Sequence, residues 1–478
     1  MTVEWTGLSP DVLVPIDRGS GEPLRTQIER GLREAIRAGR LRAGERLPST
    51  RELARQLGVS RGIVVDCFDQ LQAEGYLSSR TGAATRVSPT SQPPGQPPSR
   101  PDRPDPPPAA PLVVDFAPAV PDLASFPRAD WARSAAEACR DTPTAALGYD
   151  DPRGTDALRT VLASYLGRVR GAAAGAGADG IVVTTGFAQG LNLALAALAA
   201  RGVDRVAFED PGYDGTSQLA CAHAGVRLVP VPVDEHGLRV DALAATGARA
   251  VVVSPAHQWP TGVVLAPARR LALAHWAATT GGWIVEDDYD AEFRYDREPV
   301  GAVQGLAPHR VVYIGTASKA LAPTLRLGWM LCPAELAGPV AELKLRTDRG
   351  CPGLEQRALA RMIESGRFDR HLRRMRKVYA GRRDALVAAL AEHAPAVGIT
   401  GLAAGFHAVA NLPAGADEAA VVAGARERGV GLYGMAAHRA APGPAQLILG
   451  FGQLSERAIA QGIVAVADLL GGSPADRG

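Results

Sequence analysis

"VVYIGTASKALAPTLRLGW", residues 311–329, runs from an apolar, β-branched segment into a lysine set among small residues and hydroxyls. Lysine is scarce in this chain: of its 52 Lys and Arg residues, only Lys319, Lys344 and Lys377 are lysines. High Ala, Gly, Pro and Arg usage is also what a GC-rich genome produces, so scarcity alone assigns no role. Position says more. The apolar run reads as a buried strand, and Lys319 follows its end between Gly315, Ala317, Ser318 and Ala320. A lysine at a strand end most often starts a surface loop. In a tight polar pocket it can instead lose its proton and form a Schiff base with an aldehyde.

Outward from this stretch the pattern repeats. "GIVVTTG", "RVAFEDPGY", "RAVVVSPAHQWPTG" and "GWIVEDDYD" are short β-branched runs separated by Ala-rich helical stretches. This alternation predicts a mostly parallel sheet, whose ligands lie beyond the carboxyl ends of the strands. Each run ends in Gly or polar residues. After "WIV" come Glu286, Asp287, Asp288 and Asp290, a cluster that would repel itself without a cation. A metal site and a solvated acidic turn are open readings. A protonated pyridine nitrogen is a third, and it unites the acids with Lys319: pyridoxal 5′-phosphate (PLP) needs a lysine imine and an acid on its ring nitrogen. Its phosphate would need donors. "VTTGFAQGLNLALAAL" enters a helix through Gly186, Phe187 and Ala188, exposing backbone N–H groups at the positive end of a helix dipole. Thr316, Ser318 and Arg326 stand close to Lys319 in sequence, and Tyr213 of "EDPGY" offers a ring to stack on the cofactor.

The chain has 478 residues, which predicts more than one domain. Residues 88–112 are dominated by proline and form an expected semi-rigid linker. They separate an expected small domain, 12–87, from a large one, 113–472. In the small domain, Leu24, Ile28, Leu32 and Ile36 recur at i, i+4 on one helical face. Ser49 or Thr50 is placed to cap a short helix ending at Gly58, and Ser60 a second helix running to about Glu74. Two short helices about a Gly-containing turn form a helix-turn-helix pattern, and "YLSSRTGAATRV" reads as a wing of two strands around Gly82. Arg51 and Arg61 fall in the first turns of the two short helices, where a recognition helix meets base edges. Ser60 can meet phosphate, and Arg80, Thr81 and Gly82 form the expected wing tip.

Overall charge is +2, so any nucleic-acid surface is local rather than global. Five cysteines without a CxxC pair argue against a disulfide framework or zinc site and favour a reducing, cytoplasmic setting. No signal-peptide pattern or membrane span is expected. The arginine-rich segment "RFDRHLRRMRKVYAGRRDAL" is read as a solvated structural helix of the large domain rather than an auxiliary DNA contact.

From about residue 12 to 470 the chain resembles the MocR-type regulators of the GntR family. These join a winged helix-turn-helix to a domain with the fold-type-I aminotransferase fold. "LPSTRELARQLGVSRGIVVDCFDQLQAEGYL" resembles the GntR headpiece; "EDPGY", "HQWPTG", "VEDDYDAEFRY", "GTASKALAPTLRLGW" and "HLRRMRKVYAGRRDAL" resemble the aminotransferase part. The resemblance implies a multi-domain α/β architecture: a mostly parallel sheet, a smaller C-terminal α/β subdomain and the winged headpiece. It implies that Lys319 is the Schiff-base lysine, Asp287 the partner of the ring nitrogen and Tyr289 a hydrogen-bond donor to the phenolic oxygen. It implies phosphate contacts from Thr316 and Arg326, and from Tyr149 to the phosphate of a neighbouring subunit. The implied function is a PLP-dependent transcriptional regulator: a homodimer that binds double-stranded operator DNA and senses PLP or an amine-type effector through the internal aldimine.

Two departures stand out. Phe187 and Ala188 occupy the phosphate-helix entry where relatives often carry Ser and Gln. Ile448, in "LILGFG", stands where aminotransferases commonly carry the arginine that grips the substrate carboxylate. An apolar side chain cannot form that bidentate pair. Arg439, in "AAHRAAP", is a candidate replacement for effector binding. The alternative function, a working aminotransferase with an accessory headpiece, is disfavoured by Ile448.

Overall fold

The computed structural model describes residues 16–79, 84–89, 111–172, 177–212, 215–295 and 300–471. The chain divides into two compact units, Met1–Ala109 and Ala110–Gly478, with the division inside the proline-rich stretch.

The first unit contains helices α1 (Leu24–Arg37), α2 (Thr50–Leu57) and α3 (Arg61–Ala73) and the antiparallel strands β1 (Leu77–Ser78) and β2 (Arg86–Val87). Ile28, Leu32 and Ile36 of α1 are buried against Leu53, Leu57, Val64, Phe68 and Leu71. Ser49 Oγ accepts the Glu52 N–H at 3.2 Å and begins α2. Gly58, at φ +63°, ends it in the left-handed conformation that glycine adopts without steric cost. Ser60 Oγ accepts the Ile63 N–H at 3.5 Å and begins α3. The wing pairs Leu77 with Val87. Its expected tip, Arg80, Thr81 and Gly82, lies outside the described residues.

The second unit opens with β3 (Val114–Asp115). Its main sheet contains β4 (Ile181–Thr184), β5 (Arg205–Asp210), β6 (Arg227–Asp234), β7 (Gly237–Leu238), β8 (Ala250–Val253), β9 (Trp283–Asp288), β10 (Val311–Thr316) and β11 (Gly328–Leu331). The order is β4-β11-β10-β9-β8-β5-β6-β7. Neighbours from β10 across to β6 are parallel, whereas β11 is antiparallel to both β10 and β4. Helices cover both faces, which is why β4, β8 and β10 are buried along their whole length and carry no alternating pattern.

A smaller antiparallel sheet follows, ordered β12 (Gly398–Thr400), β13 (His407–Asn411), β16 (Gln446–Gly450), β15 (Tyr433–Gly434), while β14 (Val430–Gly431) pairs with β3. The helices Arg367–His393, Glu418–Glu427 and Glu456–Leu470 accompany it. The arginine-rich helix buries Phe368, Leu372, Met375, Tyr379 and Leu386, as expected of a structural element. No described helix is long and apolar enough to cross a membrane.

Candidate cofactor site

The parallel topology brings the ends of β4, β9 and β10 to one edge of the sheet. Lys319, Asp287, Tyr289, Thr316, Ser318, Arg326, Phe187 and Ala188 all line one cavity of 320 Å³. Ala119, Thr216, Ser217 and Trp259 complete the lining.

Lys319 lies in the short helix Ala317–Ala320, whose start is capped by Thr316: its hydroxyl accepts the Ser318 N–H at 3.1 Å. Nζ donates to the Ala119 carbonyl at 2.5 Å. Ala119 has φ +60°, a conformation an L-residue adopts at some cost. Burial lowers the proton affinity of the Lys319 amine, against the opposing pull of Asp290 and Asp287. A lysine with that bias is easier to deprotonate for condensation with a carbonyl.

The acid cluster separates into roles. Glu286 accepts the N–H groups of Val303 at 2.9 Å and Gln304 at 2.8 Å, and burial lifts it to about 7. Asp288 accepts from Arg170 Nε and from the Tyr313 hydroxyl, each at 2.6 Å. Asp290 meets His257 Nδ1 at 2.8 Å. The expected mutual repulsion is therefore relieved for these three by the protein itself. Asp287 is the exception. Among the described residues no protein group hydrogen-bonds its carboxyl, and its Oδ1 is buried; Asp288 Oδ1 is also buried without a partner, but Asp288 Oδ2 takes two donors. Burial first, then Asp288 and Asp290, pushes the Asp287 carboxyl well above the usual range. A buried carboxyl oxygen without a partner costs free energy that a cationic donor in the cavity would recover.

The phosphate end has a matching cradle. Gly186, at φ +113°, precedes the helix Phe187–Ala199, whose first turn carries no side-chain cap. A Cβ at Gly186 would stand 3.1 Å from an Arg326 guanidinium nitrogen, so the guanidinium lies against the helix entry. Uncapped N–H groups, one guanidinium and two hydroxyls form an anion site of ordinary composition. Replacement of side chains by Phe187 and Ala188 leaves the backbone donors in place. The residues present thus fit PLP at both ends.

Other expected residues sit elsewhere. Tyr149 is 89% exposed and does not line the cavity; the Arg349 guanidinium stacks 5.2 Å from its ring centre. Tyr213 lies outside the described residues. Arg439 hydrogen-bonds Gln446 and borders a separate cavity of 420 Å³ with Asp210, Thr261 and Asn411. Ile448 is fully buried against Val409 and Met435, with Trp259 packed on them. Ala119, Thr216, Ser217 and Trp259 were not anticipated as lining. "HQWPTG" marked Trp259 as part of a motif, but Ala119 is brought in only by the fold.

Comparisons agree with this geometry. Residues 24–87 match the family described as bacterial regulatory proteins, gntR family, and residues 119–436 match aminotransferase class I and II. The chain is 36% identical to the probable rhizopine catabolism regulatory protein MocR of Rhizobium meliloti, over 80% of each chain. The chain belongs to the MocR-type GntR-family regulators. It is also 33% identical to the pyridoxine biosynthesis transcriptional regulator PdxR of Corynebacterium glutamicum, over 83% of this chain and 85% of that relative. Among solved structures, the kynurenine aminotransferase of Pyrococcus horikoshii, in complex with PMP, superposes with a TM-score of 0.68 at 27% identity, covering 75% of this chain and 90% of the other. This MocR-type regulator is a DNA-binding protein with a fold-type-I aminotransferase-like domain.

Proposed function

We propose that the protein binds PLP in the Lys319 cavity and uses it to sense a small ligand, changing how its headpiece engages operator DNA. The observation that carries this reading is the pairing within one cavity of a half-buried lysine amine and an unpartnered buried carboxyl, Asp287. When bound, PLP supplies an aldehyde for Lys319 and a ring cation for Asp287. Tyr289 would donate to the phenolic oxygen; Thr316, Ser318, Arg326 and the backbone at Phe187 and Ala188 would hold the phosphate.

Sensing rather than turnover is supported by Ile448. It buries its side chain in an apolar cluster, and Arg326, on the phosphate side, is the one arginine among the described lining residues of the cavity. A ligand lacking a carboxylate held in that way, or PLP itself, is the effector this favours. Arg439, in its neighbouring cavity, is a second-site candidate for effector contact. A homodimer is part of the reading, because Tyr149 and Leu147 project from the surface at 89% and 60% exposure. In such a dimer Tyr149 would reach the partner's phosphate. Arg51, Ser60 and Arg61, all exposed at helix starts, would contact DNA.

The test is spectroscopic. PLP added to the purified protein is expected to give a visible absorption band that Lys319→Ala abolishes. A band unchanged by that substitution, or no band at all, would end the proposal.

A further inference from the structure

Behind Tyr289 lies a buried group that the cofactor contacts do not use. His257, from the loop after β8, is 1% exposed, and its Nδ1 stands 2.8 Å from Asp290 and 3.2 Å from the Tyr289 hydroxyl. Burial raises the proton affinity of Asp290 and the His257 contact opposes that rise; an ionised Asp290 carboxylate only accepts hydrogen bonds, and in that state Nδ1 carries the proton. That N–H lies between two oxygens. Tyr289 is therefore an acceptor toward His257, and its own O–H is free to point into the cavity that its side chain lines. We propose that His257, held by Asp290, is a positioning residue: it offers its N–H to the Tyr289 oxygen and thereby strengthens the Tyr289 hydroxyl as a donor to the cofactor's phenolic oxygen. The inference rests on the PLP reading above.

The surroundings fit a protein-only device. His407 of β13 stacks on His257 with ring centres 4.6 Å apart. Burial and the neighbouring His257 lower its proton affinity, so it stays neutral. Among the described residues, Asp287 and Asp288 of β9, Glu209 of β5, Lys319 after β10 and Tyr295 are the other charged or titratable groups facing this locus. His257, Asp290 and His407 bring ligand atoms within 4.8 Å of one another, a spacing that invites a metal ion. The backbone argues against one. A Cβ at Gly405 would fall 2.4 Å from Asp290 Oδ2 and 2.5 Å from His257 Nδ1, and one at Gly262 would fall 3.1 Å from His257 Nε2. The chain thus packs directly over the His257–Asp290 contact and over the far ring nitrogen. None of the three residues lines the Lys319 cavity.

The consequence is a specific acid–base property. A stronger donor at the phenolic oxygen stabilises the more negative, deprotonated form of the lysine-linked cofactor, so the visible band should titrate at lower pH. The experiment is a pH titration of that band in PLP-loaded full-length protein. His257→Gln, which removes the N–H at the Nδ1 position, is expected to raise the midpoint by about one unit, a ~10-fold change in proton affinity. His257→Asn, which keeps an N–H there, is expected to stay within about half a unit of the unaltered protein. Tyr289→Phe should raise the midpoint by itself, and His257→Gln should add nothing in that background. An unmoved midpoint in His257→Gln, or a shift that persists in full beside Tyr289→Phe, would overturn the proposal. So would a midpoint that moves on treatment with a metal chelator. A normal band with an unmoved midpoint refutes this inference alone; no band in the unaltered protein refutes the cofactor reading and the inference with it.

Discussion

At the scale of single residues, function turns on which carboxyl lacks a partner. Four acids crowd the end of β9, and their sequence spacing does not separate them. Asp288 is paired with Arg170, a residue 118 positions away, and Glu286 accepts hydrogen bonds from two backbone N–H groups beyond residue 300. Asp287 is left to face the cavity. Asp287→Ala is expected to weaken PLP binding by roughly 2–5 kcal/mol, as for loss of one partner of a desolvated charge pair, measured by equilibrium dialysis. Unchanged affinity would remove Asp287 from the site. Glu209 permits a pH test. It is fully enclosed, accepts the Ser254 N–H at 2.9 Å, and burial lifts it to about 8. Its native proton affinity exceeds that of the unfolded chain, about 4.3. The stability it contributes is therefore full below that value and lost as pH rises through about 8. Glu209→Gln should flatten the decline of Tm over that window; an identical pH profile would contradict the assignment.

At the scale of elements, the phosphate cradle and the headpiece share one device, a defined helix start, uncapped in Phe187–Ala199 and capped by Ser60 in α3. For the helix Phe187–Ala199 the device depends on Gly186, whose φ of +113° is strained for any other residue and whose missing side chain makes room for Arg326. Gly186→Ala is expected to weaken binding of PLP more than that of phosphate-free pyridoxal; equal losses would place the effect elsewhere. For α3 the device depends on Ser60. Ser60→Ala should destabilise the headpiece by about 1 kcal/mol, readable by denaturant melting of the full chain. The parallel strands were legible because each is a short β-branched run ending in polar residues. The antiparallel β11 was not, because a strand buried on both faces looks the same in either direction. β12, β14 and β15 were not legible either, since two or three residues carry no period to read.

At the scale of the molecule, DNA binding and cofactor binding belong to separate compact units, so lesions in each should separate cleanly. Arg61→Ala is expected to weaken operator binding by about 1–3 kcal/mol in a gel-shift titration while leaving the visible PLP band intact. Loss of the band would mean that the substitution disturbs more than the DNA surface. Lys319→Ala should do the reverse, removing the band while binding to a non-specific duplex survives at low salt, because that affinity comes from phosphate contacts.

The sequence by itself determined the two-part organisation, the helix-turn-helix, the run of parallel strands and the presence of a lysine and carboxylates at their ends. Those features are local: a period, a cap, a glycine or a polar cluster at a strand end. Tertiary structure alone decided which acid stays free, that Ala119 takes the Lys319 amine, and that His257 stands behind Tyr289. These depend on residues far apart in the chain meeting in a low-dielectric interior. There a missing hydrogen-bond partner costs more than any local preference supplies.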